Sequence, residues 1–203
     1  RRLKPLLGTY VEISISAKNT HITEAELINK TNEMFAAIKQ VESSMSFHNP
    51  MSELSKINQY AAHKAQKISP MLHEVLSFAI EFSQASEGLF DITIADKLIK
   101  KNYLPNHNFA IVDNANWQAI KLDQQYVEFT RNLQIDLGCI AKGYAVDKAM
   151  ELCDPEQYDA TINAGGDLRM NNWHTKQAKI KSPTTKLATH NINMQNAALA
   201  TSA

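Results

Sequence analysis

Apolar residues at two different spacings predict a strand and then a long helix in the first quarter of the chain. Val11, Ile13 and Ile15 alternate with polar residues, which is the pattern of a half-buried strand. From residue 27 onward, apolar residues recur every three or four positions, as they do along a helix that faces a core. That predicted face consists of Leu27, Ile28, Met34, Phe35, Ile38, Val41 and Met45.

Two further helices are predicted from their start signals. Ser52, or the Asn49-Pro50 pair, caps a predicted short helix that ends at Gln59. Ser69-Pro70 begins another, because Ser caps free N–H groups and Pro fits the first helical position. That helix ends at Glu87-Gly88, and its predicted apolar face consists of Leu72, Val75, Leu76, Ala79 and Phe82.

Short apolar runs in the second half of the chain predict strands joined by turns. Residues 96–109 are polar and contain Pro105, which predicts a loop. A strand at 134–137 is predicted to lead into a helix over 141–152, and the other predicted strands lie at 110–112, 118–122, 125–130, 160–163, 168–170, 177–182, 187–194 and 197–201. Helices that precede and interrupt a meandering sheet favour an α+β fold over a doubly wound α/β fold.

Composition narrows the function classes. Of 203 residues, 44% are hydrophobic, which is enough for the core of one compact domain or of two intimately packed lobes. Basic and acidic residues number 21 each, which argues against a nucleic-acid binder. No run approaches the length of a membrane span, no signal peptide is visible, and two cysteines do not indicate a disulfide scaffold. The seven histidines show no metal-ligand spacing.

The turn at Asp136-Leu137-Gly138-Cys139, between an apolar strand and a helix, is the first candidate site. The N–H groups and dipole of a helix start attract phosphate, and Lys142 in the first helical turn is unfavourable unless an anion offsets it. Asp136 is placed to accept hydrogen bonds from a base or sugar. A capping Asp and a solvated Lys explain the same residues equally well, so both interpretations stay open. The Cys139 thiol is expected to have a lowered pKa at this helix start.

Three other segments are weaker candidates. Gly165-Gly166 allows a ligand to approach closely, or serves a tight hairpin. Asp91 and Thr93 are predicted to share one face of a strand, where their partner is a ligand or local backbone. Phe47 could stack on a flat ring of a ligand, or it could simply belong to a helix cap that follows the core residue Met45. Taken alone, the segment favours the helix cap.

In order along the chain, these stretches resemble the landmarks of the ApbE family of flavin transferases (FAD:protein FMN transferases). The family motifs are Met-Gly-Thr, Met-Ser-Thr-Tyr…Ser-Glu…Asn, Phe-Asp-x-Thr-Val, Asp-Leu-Gly-Gly-Ile-Ala-Lys-Gly, Asn-Ala-Gly-Gly-Asp and Ala-Thr-Ser-Gly. Their counterparts here are residues 7–10, 45–58, 88–94, 136–147, 163–167 and 200–203. The resemblance spans the chain, and the order of the motifs makes it specific.

The resemblance implies a T-fold-like α+β architecture, with mixed or antiparallel sheets, packed helices and FAD in a cleft between two lobes of one domain. It implies that a divalent metal, usually Mg²⁺, assists cleavage of the FAD pyrophosphate. FMN then passes to a Thr or Ser hydroxyl of an acceptor protein, or to water, and AMP leaves. The implied metal ligand is the backbone carbonyl of Cys139, and the implied FAD contacts are Leu7, Phe47, Phe90, Asp91, Thr93, Asp136, Lys142, Gly165 and Gly166.

Several positions depart from the family motifs. Leu7 stands where the family has Met, Phe47 where it has Tyr, Cys139 where it has Gly or Ala, and Ala95-Asp96 where it has Gly-Pro. The family continues into a His-x-Ile-Asp-Pro-x-Thr-Gly segment and a later helix with an Asp and a Thr or Ala as metal ligands. These lie beyond the 203 residues, so we expect the metal site here to be incomplete, since Mg²⁺ takes near-octahedral oxygen coordination.

Three functions are therefore weighed. The first is a flavin transferase, and the second is a relative that binds FAD or another flavin without processing it. The third is a T-fold relative with another role, such as a flavin carrier, an assembly protein or a scaffold protein. The family's acceptors carry a Ser/Thr-containing flavinylation motif and often belong to redox membrane complexes, so the resemblance implies a periplasmic or membrane-associated location.

Overall fold

The computed structural model describes residues 1–109, 116–171, 177–181, 188–193 and 198–201. Its helices are α1 (Glu24–Met45), α2 (Glu53–Tyr60), α3 (Pro70–Ala85), α4 (Ala95–Lys100) and α5 (Ala141–Glu151). Its strands are β1 (Arg2–Leu6), β2 (Thr9–Ala17), β3 (Gln66–Lys67), β4 (Ile120–Asp123), β5 (Tyr126–Phe129), β6 (Tyr158–Ala164), β7 (Asp167–Met170), β8 (Gln177–Lys181) and β9 (Ala188–Asn193). These strands pair antiparallel, which with the helices confirms the α+β prediction.

The chain divides into two compact units. One comprises Arg1–Lys39 with Ala145–Ala203, and the other comprises Gln40–Tyr144. The first unit contains a four-stranded sheet in the order β1-β2-β6-β7 and the β8-β9 pair, and the second contains a three-stranded sheet in the order β3-β5-β4. Alternate residues of β2 and β6 are fully buried in the first unit, as the period-two pattern predicts: Val11, Ile13, Ala160, Ile162 and Ala164.

Helix starts follow the predicted cap chemistry. Ser52 and Ser69 are the N-caps of α2 and α3, where each side chain accepts a hydrogen bond from a backbone N–H in the first turn. Glu53 of α2 joins the start of α3 to the end of α1 by hydrogen bonds. Its carboxylate accepts from the Ser69 N–H at 2.5 Å, the Ser69 hydroxyl at 2.7 Å and the Ser44 hydroxyl at 2.9 Å. The Ser-Glu pair of the 45–58 segment therefore fixes the ends of helices.

Two predicted apolar faces include residues that the structure exposes. Phe82 on α3 is 52% exposed and Ile28 on α1 is 45% exposed, so both predictions were wrong. Each lies near the end of its helix and continues the three- and four-residue spacing of the apolar face. At a helix end, the core no longer covers the full width of that face. Among the described residues, no helix is both long enough and apolar enough to span a membrane.

The prediction of a loop over residues 96–109 was wrong at its start. A 3₁₀ turn at Ile92–Ile94 leads directly into α4, which ends at Lys100. The strand prediction around Asp91 and Thr93 was wrong for the same reason, since this backbone is helical. Of the other predicted strands, 110–112 lies outside the described residues, and residues 198–201 form only an isolated bridge between Leu199 and Leu168.

Candidate functional site

The segment before the Asp136 turn is held by the side chain of Asn58. The Ile135 N–H donates to Asn58 Oδ1, and Asn58 Nδ2 donates to the Ile135 carbonyl, both at 2.9 Å. Both residues are buried. The predicted strand at 134–137 was therefore wrong: the backbone is not paired in a sheet, because a side-chain amide supplies the two hydrogen bonds that a neighbouring strand would supply.

Two predicted site segments meet in the second unit. The Asp136 N–H donates to the Ile92 carbonyl at 2.9 Å, which brings the Asp136 turn beside the segment from Asp91 to Thr93. Asp91 Oδ1 accepts from the N–H and the hydroxyl of Thr93, each at 2.8 Å, and Oδ2 accepts from the Trp117 N–H at 3.3 Å. Asp91 and Thr93 thus meet through a helix cap, not on a strand face.

The Asp136 carboxylate is half-buried. Burial raises the pKa of Asp136 above its ordinary value, while the N–H groups of Gly138 and Leu137 and the charge of His48 partly oppose the shift. Its hydrogen bond from the Gly138 N–H is 3.2 Å long. A carboxylate in this state gains from a ligand that donates further hydrogen bonds, and shifted carboxyl groups of this kind are typical of functional sites.

The turn presents Cys139 immediately before α5, which begins at Ala141 with Lys142, half-buried, in its first turn. The pKa of Cys139 is raised to about 11, first because its thiol is desolvated and then because Asp136 is negative. The expectation of a lowered pKa was therefore wrong, since these two effects outweigh the helix start. A thiol with this pKa is almost entirely protonated at neutral pH, which argues against a nucleophilic role.

We expect Cys139 to be alkylated by iodoacetamide at pH 7.5 about a hundredfold more slowly than a free cysteine, because so little thiolate is present. Asp136→Asn should speed the reaction, since it removes a negative charge that raises the pKa of Cys139. Mass-spectrometric mapping separates Cys139 from the buried Cys153. Rapid alkylation of the unmodified chain at neutral pH would contradict this description of the turn.

Aromatic residues near the turn differ in accessibility. Phe47 is 2% exposed, its ring lies 5.3 Å from that of His107, and its carbonyl is 2.7 Å from His107 Nε2. Phe90 is half-buried and lies edge-on to Phe82. The exposed His48 lies close enough to Asp136 for its charge to lower the pKa of that carboxyl group. Sequence reasoning gave His48 no role.

In the first unit, two hairpin turns lie side by side at one end of the four-stranded sheet. Leu7-Gly8 joins β1 to β2 with φ of 57° and 69°, and Gly165-Gly166 joins β6 to β7 with φ of 61° and 107°. Positive φ at both central residues is the conformation that two-residue hairpins favour. The hairpin interpretation of Gly165-Gly166 therefore describes its backbone, and contact with a ligand stays a prediction for Leu7 and for both glycines.

Two threonines pack against the glycine turn. A Cβ at Gly165 would lie 2.6 Å from the Thr9 hydroxyl, and a Cβ at Gly166 would lie 2.9 Å from the Thr201 carbonyl oxygen. The Thr201 N–H also donates to the Gly166 carbonyl at 3.2 Å. Segments 7–10, 163–167 and 198–201 are thus brought together, and only glycine leaves room for both threonines.

The described residues do not by themselves form a magnesium site. They include no cluster of three or more His, Cys, Asp or Glu side chains that could hold a metal ion. The Cys139 carbonyl is a single oxygen donor, whereas Mg²⁺ takes near-octahedral coordination.

A family model described as the ApbE family matches residues 7–203. The FAD:protein FMN transferase of Chlamydia pneumoniae is 26% identical over 166 residues, which cover 76% of this chain and 53% of that protein. The FAD:protein FMN transferase of Haemophilus influenzae is 29% identical over 183 residues, which cover 77% and 51%. The chain therefore spans about half the length of the curated relatives that it matches.

Solved structures show the same fold. The ApbE protein from Thermotoga maritima superposes with a TM-score of 0.82 at 22% identity, covering 99% of this chain and 69% of that one. The flavin transferase ApbE from Vibrio cholerae gives a TM-score of 0.76 at 19% identity, covering 90% and 63%. The predicted architecture is confirmed by these similarities.

Proposed function

This chain belongs to the ApbE family, and we propose that it binds FAD at the Asp136 turn as part of an FAD:protein FMN transferase. The proposed reaction splits the FAD pyrophosphate, passes FMN to a Thr or Ser hydroxyl of an acceptor protein or to water, and releases AMP. The matched relatives named FAD:protein FMN transferase support this reaction. The observation that carries the placement is the half-buried Asp136 carboxylate, which accepts from the Gly138 N–H at 3.2 Å and lies shortly before the start of α5.

The proposed roles follow from the chemistry of each group. Lys142 and the start of α5 offset the negative charge of the pyrophosphate, since a positive side chain and the N–H groups of a helix start both attract phosphate. Asp136 accepts hydrogen bonds from the base or sugar of FAD. Asp91 and Thr93 support the turn through the Ile92 carbonyl.

Mg²⁺ is the proposed metal, and its bound form would supply positive charge at the pyrophosphate. The Cys139 carbonyl is proposed as one ligand, and the described residues contain no cluster of three or more His, Cys, Asp or Glu side chains that could hold a metal ion. Leu7, Phe47, Phe90, Gly165 and Gly166 stay proposed FAD contacts.

Lys142→Glu is expected to weaken FAD binding by about tenfold or more, because it places a negative charge near the phosphates. Lys142→Gln should fall between this variant and the unmodified chain. Lys148→Glu is the matched control, since it reverses the same charge about two turns later on α5, where Lys148 pairs with Glu151. A fluorescence titration measures all four affinities, and equal values for Lys142→Glu and Lys148→Glu would contradict the placement.

The second candidate is a protein that binds FAD without cleaving it, as a carrier or assembly factor. AMP release separates the two, because a carrier binds FAD and releases no AMP in the presence of Mg²⁺.

A further inference from the structure

A groove between β1 and α1 of the first unit contains none of the residues proposed to bind FAD. Its volume is about 380 Å³, which lies within the range of small-molecule sites. We call it the β1–α1 groove. Lys4, Pro5 and Leu6 line it on the β1 side, and Asn32, Phe35 and Lys39 line it on the α1 side. Apolar side chains and two lysines thus share one small concave surface.

Lys4 is held at the base of the β1–α1 groove. It pairs with Val11 of β2, which is fully buried, and residues paired across neighbouring strands lie on the same side of a sheet. The Lys4 side chain therefore points toward α1, where its ammonium lies 4.5 Å from the centre of the Phe35 ring. Because Phe35 is only 3% exposed, this cation–π contact keeps a positive charge against an apolar surface.

Positive charge dominates the lining of the groove. Lys4 and Lys39 both line it, and neither forms a salt bridge with a carboxylate of the described residues. The Arg2 guanidinium donates to Asn32 Oδ1 at 2.7 Å, which places a third cation beside the lining. The chain as a whole has a formal net charge of zero at pH 7, so this local excess of cations is not shared by the whole surface.

The position of Pro5 argues against an added strand as the occupant. β1 is an edge strand of the four-stranded sheet, and the free edge of a sheet is where another strand can pair. Pro5 has no N–H to donate, so it interrupts such pairing in the middle of β1. A small molecule therefore suits the groove better than an extended peptide does.

We propose that the β1–α1 groove binds an organic carboxylate that has an apolar or aromatic body. The carboxylate pairs with the ammonium groups of Lys4 and Lys39, and the body packs against Pro5 and Leu6. A phosphate ester suits the groove less well, because the Arg2 guanidinium, the kind of donor that phosphate prefers, is already bonded to an amide. This inference is independent of the proposed FAD chemistry.

Isothermal titration calorimetry of the full chain with 2-naphthoate tests the proposal. We expect saturable binding with a dissociation constant on the order of 0.1 mM. 2-Naphthol supplies the same rings without the charge, and acetate supplies the charge without the rings, so each should bind at least about tenfold more weakly. Equal affinity for 2-naphthol and 2-naphthoate would overturn the proposal. So would the absence of saturable binding, which is the result expected if the lysines only keep other strands away from the edge.

Substitutions of single lysines test where the carboxylate binds. Lys39→Gln and Lys4→Gln should each weaken 2-naphthoate binding about fivefold or more, because each removes one ammonium group from the groove. Lys39 is exposed, so its replacement does not threaten folding. Lys30→Gln is the matched control on α1, since Lys30 pairs with Glu33 and lies outside the lining, and it should leave the affinity unchanged. An unchanged affinity in Lys39→Gln, or an equal loss in Lys30→Gln, would contradict the proposed site.

Discussion

Replacing Asn58 with alanine is expected to lower the free energy of unfolding by about 3 kcal/mol, because it leaves a buried N–H and a buried carbonyl of Ile135 without partners. For a chain of this size, that loss corresponds to a fall in melting temperature of roughly 6–12 °C. Amide exchange at the Ile135 N–H should also speed up, since its acceptor is gone.

Gln59→Ala is the control for Asn58, because Gln59 is the next residue of α2 and is exposed. It should leave the melting temperature nearly unchanged. If Asn58→Ala also left both the melting temperature and the exchange of the Ile135 amide unchanged, the amide would not hold the Asp136 turn.

Gly166→Ala is expected to destabilise the chain by about 2–4 kcal/mol, from two separable causes. Its φ of 107° is strained for any residue with a Cβ, and the added Cβ would lie 2.9 Å from the Thr201 carbonyl. The segment that contains Thr201 must move away from the hairpin, so its amides should lose protection from exchange.

Two other glycines separate these causes. Gly8 has φ 69° with open space around its Cβ position, so Gly8→Ala adds backbone strain alone and should cost about 1 kcal/mol. Gly143 lies inside α5 with open space, so Gly143→Ala should stabilise the helix by about 0.5–1 kcal/mol. Chemical denaturation ranks the three variants. If Gly166→Ala lowered the free energy of unfolding no more than Gly8→Ala does, Thr201 would not crowd this turn.

Local chemistry made several elements predictable from the sequence. Ser69-Pro70 and Ser52 carry their own helix-start signals, and the structure places a helix start at each. The strand prediction at 134–137 failed because its hydrogen-bonding partner is a side chain 77 residues away, which no local pattern reveals. The sequence of α2 did contain a sign of this contact, because Asn58 lies on the same buried face of the helix as Leu54 and Ile57. A polar residue at such a position needs a partner.

The candidate site was partly predictable for a related reason. Glycines in 163–167 predicted a tight turn from their own conformational freedom, and φ is positive at both. The pKa of Cys139 was predicted in the wrong direction, because it depends on how Asp136 and the turn are packed. Asp91 and Thr93 were expected to be close, and they are, but an Asp two residues before a Thr also caps a helix. The motif alone did not choose between the two geometries.

The most direct test of the proposed FAD site is a fluorescence titration of FAD into the chain and into Lys142→Glu, with and without Mg²⁺. The proposal predicts saturable binding to the unmodified chain and an affinity about tenfold lower for the variant. Absence of saturable binding, or equal affinity for the two chains, would contradict the claim that FAD binds at the Asp136 turn.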